Sequence, residues 1–336
     1  MTQKQEKLRV AVIGCGYLGR FHAQKYAQMA DVDLVGVVDI EPAQVRAVAQ
    51  DCRCQPYQHY RQLLGRVDAA SVVTPTMTHF GIAQDLLAND VHLLIEKPIT
   101  TTLEEADRLI ALARDRRLIV QVGHLERFNP VSLAMETEVE APLLIEAQRL
   151  SVFKDRATDV SVVLDLMIHD IDIILSLTGS EIEQIEACGD TLITDHLDVA
   201  NARLSFKNGC VANVTASRVS VADSRRMRLF QKDKSVEVDF GQRQIEVLPL
   251  QRPDGSGRHR IGQVQRRHFD QSDALLAELT AFVRCVRLKE PPKVSASEGR
   301  RALALALAVM ARAASTLSSP TLKAPNVDAK EPCKSA

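Results

Sequence analysis

The feature that most constrains the fold is a glycine pattern near the start of the chain. Residues 8–14 form a short apolar run that is typical of a buried parallel strand. The sequence Gly-Cys-Gly-Tyr-Leu-Gly completes this run at residues 14–19, and helical periodicity follows from residue 18. In such a strand–turn–helix setting, the glycines let the chain turn tightly and let a pyrophosphate approach the backbone. The pattern predicts a dinucleotide-binding turn, with cofactor contacts at Gly14, Gly16, Tyr17, Leu18 and Gly19.

A carboxylate at the end of the second apolar run, residues 32–39, indicates which dinucleotide would bind. Asp39 lies about 20 residues beyond the last glycine, where an acidic side chain binds the adenosine ribose hydroxyls. Its negative charge would repel a 2′-phosphate, and Ile40 follows it in place of Arg or Ser. We therefore expect NAD rather than NADP. The alternative is that Asp39 is a surface carboxylate without a ligand.

Apolar runs and helical stretches alternate over the first third of the chain. Runs at 69–75, 92–97 and 118–123 repeat the strand pattern. This alternation predicts a doubly wound parallel sheet, an α/β Rossmann domain over residues 1–124. The helical stretches that separate the runs are 18–29, 42–51, 79–90 and 102–116.

The pattern changes after about residue 140 to strand-like segments joined by turns. One helical stretch, 161–177, comes before them, and Asn208-Gly209 between two alternating segments is a strong hairpin signal. We predict an α+β domain with an open, mostly antiparallel sheet over residues 125–317, ending in helices at 272–288 and 296–314. Residues 318–336 are rich in Ser, Pro, Lys and Ala, and we expect them to form a disordered tail.

Charge and cysteine content argue against several classes of protein. The 336 residues include 42 Lys and Arg against 43 Asp and Glu, a formal net charge of −1 that gives no general attraction to nucleic acid or to an anionic membrane. We find no apolar run long enough for a membrane span, and we expect no signal peptide. Seven scattered cysteines without a Cys-x-x-Cys pair favour reduced thiols, no metal site and a cytoplasmic location.

The sequence Glu96-Lys97-Pro98 ends the apolar run at 92–97. Ligands of open α/β sheets bind at the carboxyl ends of the strands, so Lys97 could reach a substrate hydroxyl and stabilise a developing alkoxide. A Lys-Pro bond can also be cis at modest cost. The alternative is a solvent-facing lysine in a strand-to-helix turn, and the local sequence by itself favours that alternative.

Three polar residues follow one face of the otherwise apolar helix predicted at 161–177. Asp165, His169 and Asp172 have the spacing i, i+4, i+7, so they share a face, whereas Asp170 lies off it and could be an exposed or capping residue. His169 suits a general base, with Asp165 orienting its ring. A structural His–Asp hydrogen bond inside the core is an equally good interpretation of the helix by itself.

Taken together, these motifs resemble the Gfo/Idh/MocA oxidoreductases over residues 8 to about 314. The resemblance rests on the glycine turn, the Thr-Pro-Thr-Met-Thr-His segment at 74–79, the Glu-Lys-Pro sequence and the Asp-x-x-x-His pair. It implies an active site made of Lys97, Asp165 and His169, and a sheet that relatives often use to form homodimers or homotetramers. It also implies further cofactor contacts at Thr74, Pro75, His79, Glu96 and Lys97.

Two segments are similar to a narrower branch, which oxidises the 3-hydroxyl of UDP-N-acetylglucosamine to a ketone. They are Gly123–Pro130 and Arg156–Asp172, although residues 158–162 replace a glycine-rich stretch that many relatives carry. In some bacteria a PLP aminotransferase then aminates the ketone on the way to lipid A. The likeness implies a nucleotide-sugar substrate, with candidate contacts at Arg127, Asn129, Arg156 and Asp172.

Three other interpretations stay open at this point. The basic stretch 252–269 could contribute to diphosphate binding, but a solvated loop is the better interpretation of its composition. The same catalytic residues could serve a dehydrogenase of a free polyol or monosaccharide. A sensor that binds dinucleotide without turnover is a third alternative, and the intact set of Lys97, Asp165 and His169 argues against it.

Overall fold

The computed structural model describes residues 6–155, 158–251 and 260–317, which form two sheets with helices packed against them. Arg156, residues 252–259 and the predicted tail at 318–336 lie outside the described residues. No helix in the described part of the chain is both long and apolar enough to cross a lipid bilayer.

The first sheet is the doubly wound parallel sheet that the alternating pattern predicts. Its six strands are all parallel and lie in the order β3-β2-β1-β4-β5-β6. Only the short β3 has no counterpart among the predicted strands, because three largely exposed residues give no apolar run. The strands are β1 Leu8–Ile13, β2 Val32–Val38, β3 Gln55–Tyr57, β4 Ala69–Val72, β5 His92–Glu96 and β6 Val120–Gly123.

Four helices connect these strands, close to the predicted positions. The last of them begins with a capping box, in which Thr102 Oγ1 accepts from the Glu105 amide and the Glu105 carboxylate accepts from the Thr102 amide. The helices are α1 Tyr17–Gln28, α2 Pro42–Cys52, α3 Thr76–Ala88 and α4 Leu103–Arg116.

The second sheet is mostly antiparallel, as expected, with one parallel pair. Its central path runs β14-β13-β12-β11-β7-β10-β9-β8, and only β7 and β10 run parallel. Gly209 has φ +86°, which confirms the predicted hairpin turn between β9 and β10. The strands are β7 Leu144–Leu150, β8 Ile182–Asp190, β9 Val199–Phe206, β10 Val211–Ser217, β11 Ser224–Phe230, β12 Lys234–Asp239, β13 Gln244–Gln251, β14 Arg260–Ile261 and β15 Gln265–His268.

Among the described residues, helices cover one face of this sheet and not the other. α5 Pro130–Glu138, a π-helical turn at Val163–Met167, α6 Ile168–Thr178 and part of α8 pack against the covered face. The other face carries charged and polar side chains such as Glu146, Arg226 and Arg228. The sheet is therefore open on one side, in agreement with the resemblance.

The last two helices connect the two domains rather than belonging to the second one alone. α7 Ala274–Leu288 packs in the core of the parallel sheet, although the sequence places it in a domain spanning 125–317. α8 Ala296–Leu317 begins against the parallel sheet through Leu303 and continues into the core of the second domain through Val309. The apolar stripe on α7 is real, but a stripe does not reveal which sheet covers it.

The basic stretch at 252–269 is only partly a loop. Its described residues include two short strands, β14 and β15, that pair with β13 at the edge of the second sheet. The residues of β15 are exposed, and Arg266 and Arg267 pair with Glu246 and Glu138. These two arginines are thus engaged within the sheet edge.

Candidate active site

The glycine turn between β1 and α1 has the geometry that a pyrophosphate requires. Gly14 has φ +97°, and a Cβ there would lie 2.4 Å from the Val73 carbonyl oxygen. A Cβ on Gly19 would lie 1.9 Å from the Gly14 carbonyl oxygen, so this glycine lets helix and strand touch. A Cβ on Gly16 would meet no atom within 4 Å, and no side chain caps the start of α1. The open space and the free amides fit an anionic dinucleotide.

Tyr17 and Leu18 follow at the start of α1 and point in different directions. The Tyr17 ring is exposed and packs edge-on against Phe21, with ring centroids 5.2 Å apart. Leu18 packs against the apolar core of the parallel sheet. Of the two side chains, Tyr17 is thus the one that is accessible from solvent beside the glycine turn.

Asp39 lies just beyond β2, beside the glycine turn. Its carboxylate accepts hydrogen bonds from the Cys15 amide at 2.7 Å and the Glu41 amide at 2.9 Å. Each carboxylate oxygen keeps further acceptor capacity, so Asp39 can also receive ribose hydroxyls. Its position fits the predicted role in NAD binding.

His79 contacts two loops at the carboxyl edge of the parallel sheet. The ring is buried, with Nε2 2.8 Å from the Thr74 carbonyl oxygen and Nδ1 3.1 Å from the Pro98 carbonyl oxygen. Burial lowers the pKa of His79. The neutral ring therefore donates to one carbonyl at a time and holds the loop after β4, where Pro75 precedes α3, against the loop after β5.

Lys97 meets the second domain at Asp165. The Lys97–Pro98 bond is cis, and the Lys97 ammonium donates to the Asp165 carbonyl oxygen at 2.8 Å. Its Nζ also lies 3.6 Å from Asp165 Oδ1. Burial lowers the pKa of Lys97, and the charge of Asp165 opposes this effect. Lys97 is thus an oriented, half-buried cation between the domains and not a solvent-facing lysine.

His169 lies at the start of α6, one helical turn beyond Asp165. Its Nδ1 is buried and has no hydrogen-bond partner, so the predicted hydrogen bond from the His169 ring to the Asp165 carboxylate is not formed. Asp165 pairs with the Lys97 ammonium instead, because a carboxylate binds a cation more strongly than a neutral ring. Burial and the nearby charges of Lys97 and Arg149 lower the pKa of His169 well below its ordinary value. The ring is therefore neutral at pH 7, as a proton acceptor must be.

The third residue of the predicted stripe, Asp172, lies deeper. It is 3% exposed, and its Oδ2 lies 3.5 Å from Arg127 Nη1 and 4.0 Å from His124 Nδ1. Arg127 is itself buried and also contacts Glu136 at 3.3 Å. Asn129 accepts a hydrogen bond from the Val131 amide and caps α5. The predicted substrate contacts of Asp172, Arg127 and Asn129 stay a proposal. In the structure, these three side chains contact other parts of the chain.

A buried ion pair lies beside His169 and was not predicted from the sequence. Arg149 on β7 donates to both carboxylate oxygens of Asp170, at 3.1 and 2.8 Å. Asp170 is 2% exposed, so the expectation that it is an exposed or capping residue is wrong. A charged residue can face the core when it has a bidentate partner, and that partner lies 21 residues away in the chain. Arg149 lies in an alternating strand, and its sequence position would indicate this pair only if the register of the sheet were known.

A second buried cluster lies behind the Glu-Lys-Pro sequence. Glu96 Oε1 is 3.2 Å from His22 Nε2, and the amide group of Gln121 donates to the Glu278 backbone carbonyl at 3.3 Å. Glu278 on α7 is 0% exposed, and neither of its carboxylate oxygens has a hydrogen-bond partner. Burial, followed by the charge of Glu96, raises the pKa of Glu278 well above its ordinary value of 4.5. The folded protein therefore favours the protonated form of Glu278.

This burial predicts a pH-dependent gain in stability for Glu278→Gln. The folded protein holds a proton on Glu278 that the unfolded chain releases above about pH 4.5, so wild-type stability falls as pH rises. The loss is about 1.4 kcal/mol for each pH unit up to the folded pKa. Urea unfolding should show Glu278→Gln gaining stability over wild type between pH 5 and pH 8. The exposed Glu140→Gln is the control, and an equal difference at both pH values would contradict the prediction.

The described cysteines and acidic residues give no sign of a metal centre. In residues 6–155, 158–251 and 260–317, no group of three or more His, Cys, Asp or Glu is arranged to hold an ion. The six cysteines in these ranges are all free thiols, and burial raises the pKa of the Cys15 thiol to about 12. The thiol beside the glycine turn is therefore unreactive at neutral pH.

Three features together define an oxidoreductase that uses a nicotinamide cofactor. They are a parallel sheet with a dinucleotide-binding turn, a lysine at the carboxyl edge of that sheet, and a neutral histidine from the second domain. Residues 8–124 match the model of the oxidoreductase family with an NAD-binding Rossmann fold, and residues 132–237 match the Gfo/Idh/MocA C-terminal domain. The chain belongs to the Gfo/Idh/MocA family and is an NAD-dependent oxidoreductase acting on CH–OH groups.

Relatives place the chain within this family. It is 41% identical over 305 residues to UDP-N-acetylglucosamine 3-dehydrogenase of Acidithiobacillus ferrooxidans, covering 90% of this chain and 96% of the relative. A solved structure of that enzyme aligns with TM-score 0.86 and 40% identity over 93% of this chain and 99% of its own. Myo-inositol 2-dehydrogenase of Thermotoga maritima is 26% identical over 320 residues, covering 90% and 95%. Scyllo-inositol dehydrogenase of Lactobacillus casei, solved with NAD(H) and scyllo-inositol, shares the fold at TM-score 0.77 and 18% identity, over 93% and 98%.

Proposed function

We propose that the chain oxidises the 3-hydroxyl of UDP-N-acetylglucosamine to a ketone with NAD. The observation that carries the proposal is the contact between Lys97 and Asp165, which brings the sheet edge to the helix that holds His169. The choice of substrate is supported by the 41% identity to a dehydrogenase of that sugar nucleotide.

The residues of this cleft have separable roles in the proposed reaction. The Nε2 edge of His169 is the accessible one, because Nδ1 is buried, and it accepts the proton of the substrate hydroxyl. The Lys97 ammonium donates to the same oxygen and stabilises the negative charge that develops on it. Asp165 holds Lys97 in place through its carbonyl and carboxylate oxygens. The glycine turn and Asp39 would hold NAD, which would supply the hydride-accepting chemistry.

A substrate panel tests this proposal directly. UDP-N-acetylglucosamine, N-acetylglucosamine and myo-inositol would each be offered with NAD and with NADP, and NADH or NADPH absorbance would be followed. We expect kcat/KM for the nucleotide sugar with NAD to exceed the others by about tenfold or more, since each charge-assisted hydrogen bond to the diphosphate adds about 1.5–3 kcal/mol. We expect NADP to be poorer because Asp39 repels its 2′-phosphate.

One other function has a specific observation in its favour. The chain is 26% identical to a myo-inositol 2-dehydrogenase over 90% of its length, so a free polyol is the second candidate. A higher kcat/KM for myo-inositol than for the nucleotide sugar would replace our proposal by that one. An absence of turnover with every substrate, while NAD still binds, would instead favour a non-catalytic sensor.

The open face of the second sheet suggests a homo-oligomer. This face carries paired charges, including Arg226 with Asp239 at 2.9 Å and Arg228 with Glu146 at 2.8 Å. A second copy could cover it in a homodimer or homotetramer. The 3-ketone product would suit a PLP aminotransferase as the next enzyme, since a ketone is what such an enzyme aminates.

A further inference from the structure

The side chains of β11 alternate between the two faces of the second sheet. Met227 and Leu229 are buried under the helices, whereas Arg226 and Arg228 lie on the open face. Because side chains alternate along a strand, Arg225 lies on the helix-covered face with Met227. Its side chain is nevertheless 51% exposed, because it lies beyond the end of the apolar core.

Arg225 is connected to His169 by a short series of charged contacts. It lies opposite Arg149 in the register of β11 with β7. Glu126 Oε1 is 3.6 Å from Arg149 Nη1 and 3.8 Å from Arg225 Nη1. Arg149 in turn binds Asp170, the residue after His169. The Arg225 guanidinium is therefore at the rim of the same cleft as the proposed base.

The cations around this cleft differ in how fully they are already paired. Lys97 is engaged by Asp165, and Arg149 is 4% exposed with a bidentate bond to Asp170. Within the described residues, the one ion pair of Arg225 is a 3.8 Å contact to Glu126, and half of its side chain is exposed. Of these three cations, Arg225 is the one whose guanidinium can engage an incoming anion.

We infer that Arg225 binds the diphosphate of the nucleotide-sugar substrate, an inference that rests on the proposed function. In a sugar nucleotide, the diphosphate is attached to C1, and only C2 separates C1 from C3. A sugar whose 3-hydroxyl lies at His169 therefore places its diphosphate near the rim of the cleft. The planar guanidinium matches phosphate oxygens with two parallel hydrogen bonds. The charge of Arg225 also contributes to lowering the pKa of His169, which agrees with their closeness.

The test compares Arg225→Gln with Arg226→Gln, which removes the same charge from the next residue, on the opposite face of the strand. Titration calorimetry with UDP as the probe, in the presence of NADH, measures diphosphate affinity without catalysis. We expect Arg225→Gln to raise the Kd for UDP and the KM for UDP-N-acetylglucosamine about tenfold or more, with Arg226→Gln near wild type. Arg225→Lys keeps the charge but loses the paired N–H donors of the guanidinium. Its Kd for UDP should therefore lie between those of wild type and Arg225→Gln.

Two further measurements show whether Arg225 binds the diphosphate of the substrate or that of the cofactor. The Kd for NADH should be the same in Arg225→Gln and wild type, because the cofactor diphosphate belongs to the glycine turn. A weaker NADH affinity with unchanged UDP affinity would overturn the inference. Unchanged UDP affinity in Arg225→Gln and Arg225→Lys would also overturn it, and the proposed function would stand as long as the wild type oxidises the nucleotide sugar. Failure of the wild type in the substrate panel would reject the proposed function separately.

Discussion

Replacing His169 by asparagine should lower kcat for the proposed oxidation by about 10²–10⁴-fold, the usual contribution of a positioned general base. The Kd for NAD should stay near the wild-type value, because the cofactor turn lies on the parallel sheet. The variant should fold normally, since His169 Nδ1 makes no hydrogen bond whose loss would leave a buried partner unpaired. Steady-state kinetics with NADH detection and titration of NAD binding measure the two quantities.

The chain provides a matched control for this substitution. His196 is exposed and lies before β9, so His196→Asn removes the same ring from the surface and should leave kcat unchanged. A loss of less than about threefold in His169→Asn would show that another group accepts the proton. A parallel loss in NAD affinity would instead point to a structural role for the ring.

Replacing Lys97 by methionine is expected to lower kcat/KM by about 10²–10³-fold, the range seen when one donor to a developing oxyanion is removed. Methionine keeps the length of the side chain and removes the charge. A second effect should appear in the pH profile. After burial, the charge of Lys97 contributes most to lowering the pKa of His169, and Arg149, His124 and Arg225 add to it.

Removing the Lys97 charge should shift the pH dependence of activity in a defined direction. His169 acts as a base only when it is neutral, so activity falls as pH drops through its pKa. The wild-type pKa is well below 6.5, and the acid limb of kcat/KM should lie below that value. In Lys97→Met the pKa of His169 rises, so the acid limb of the residual activity should move to higher pH.

Lys97→Arg separates the charge from the geometry. Arginine keeps a positive charge but has a different shape and hydrogen-bond pattern, so turnover should fall while the acid limb stays near its wild-type position. An acid limb at the same pH in wild type, Lys97→Met and Lys97→Arg would refute the electrostatic coupling between Lys97 and His169. It would leave open only a direct role of Lys97 toward the substrate oxygen.

Much of the first domain could be predicted because its signals are local. Five of the six strands in the parallel sheet follow from continuous apolar runs, and the helices between them follow from periodicity and capping residues. The second domain was less predictable. The elements β7, β8 and α5 were not predicted from the sequence. No residue of β8 is fully buried, so it forms no apolar run, and β7 carries a buried arginine where an apolar residue is expected.

The site shows the same division. The glycine turn and the position of Lys97 at a strand end were visible in the sequence, whereas the partner of Asp165 was not. Spacing along a helix favoured His169 as that partner, but the structure pairs Asp165 with Lys97, 68 residues away. The burial of Asp170 and Glu278 could likewise not be predicted, because whether an acidic side chain is buried depends on the groups that the fold places around it.

The sequence by itself determined which backbone segments turn, pair and bind a dinucleotide, because steric limits and periodicity act between neighbours in the chain. The tertiary structure decided which charges meet, and with that the ionisation of His169, since burial and opposite charges come from distant segments. It also decided that α7 completes the first domain, because an apolar stripe packs against whichever sheet the chain brings to it.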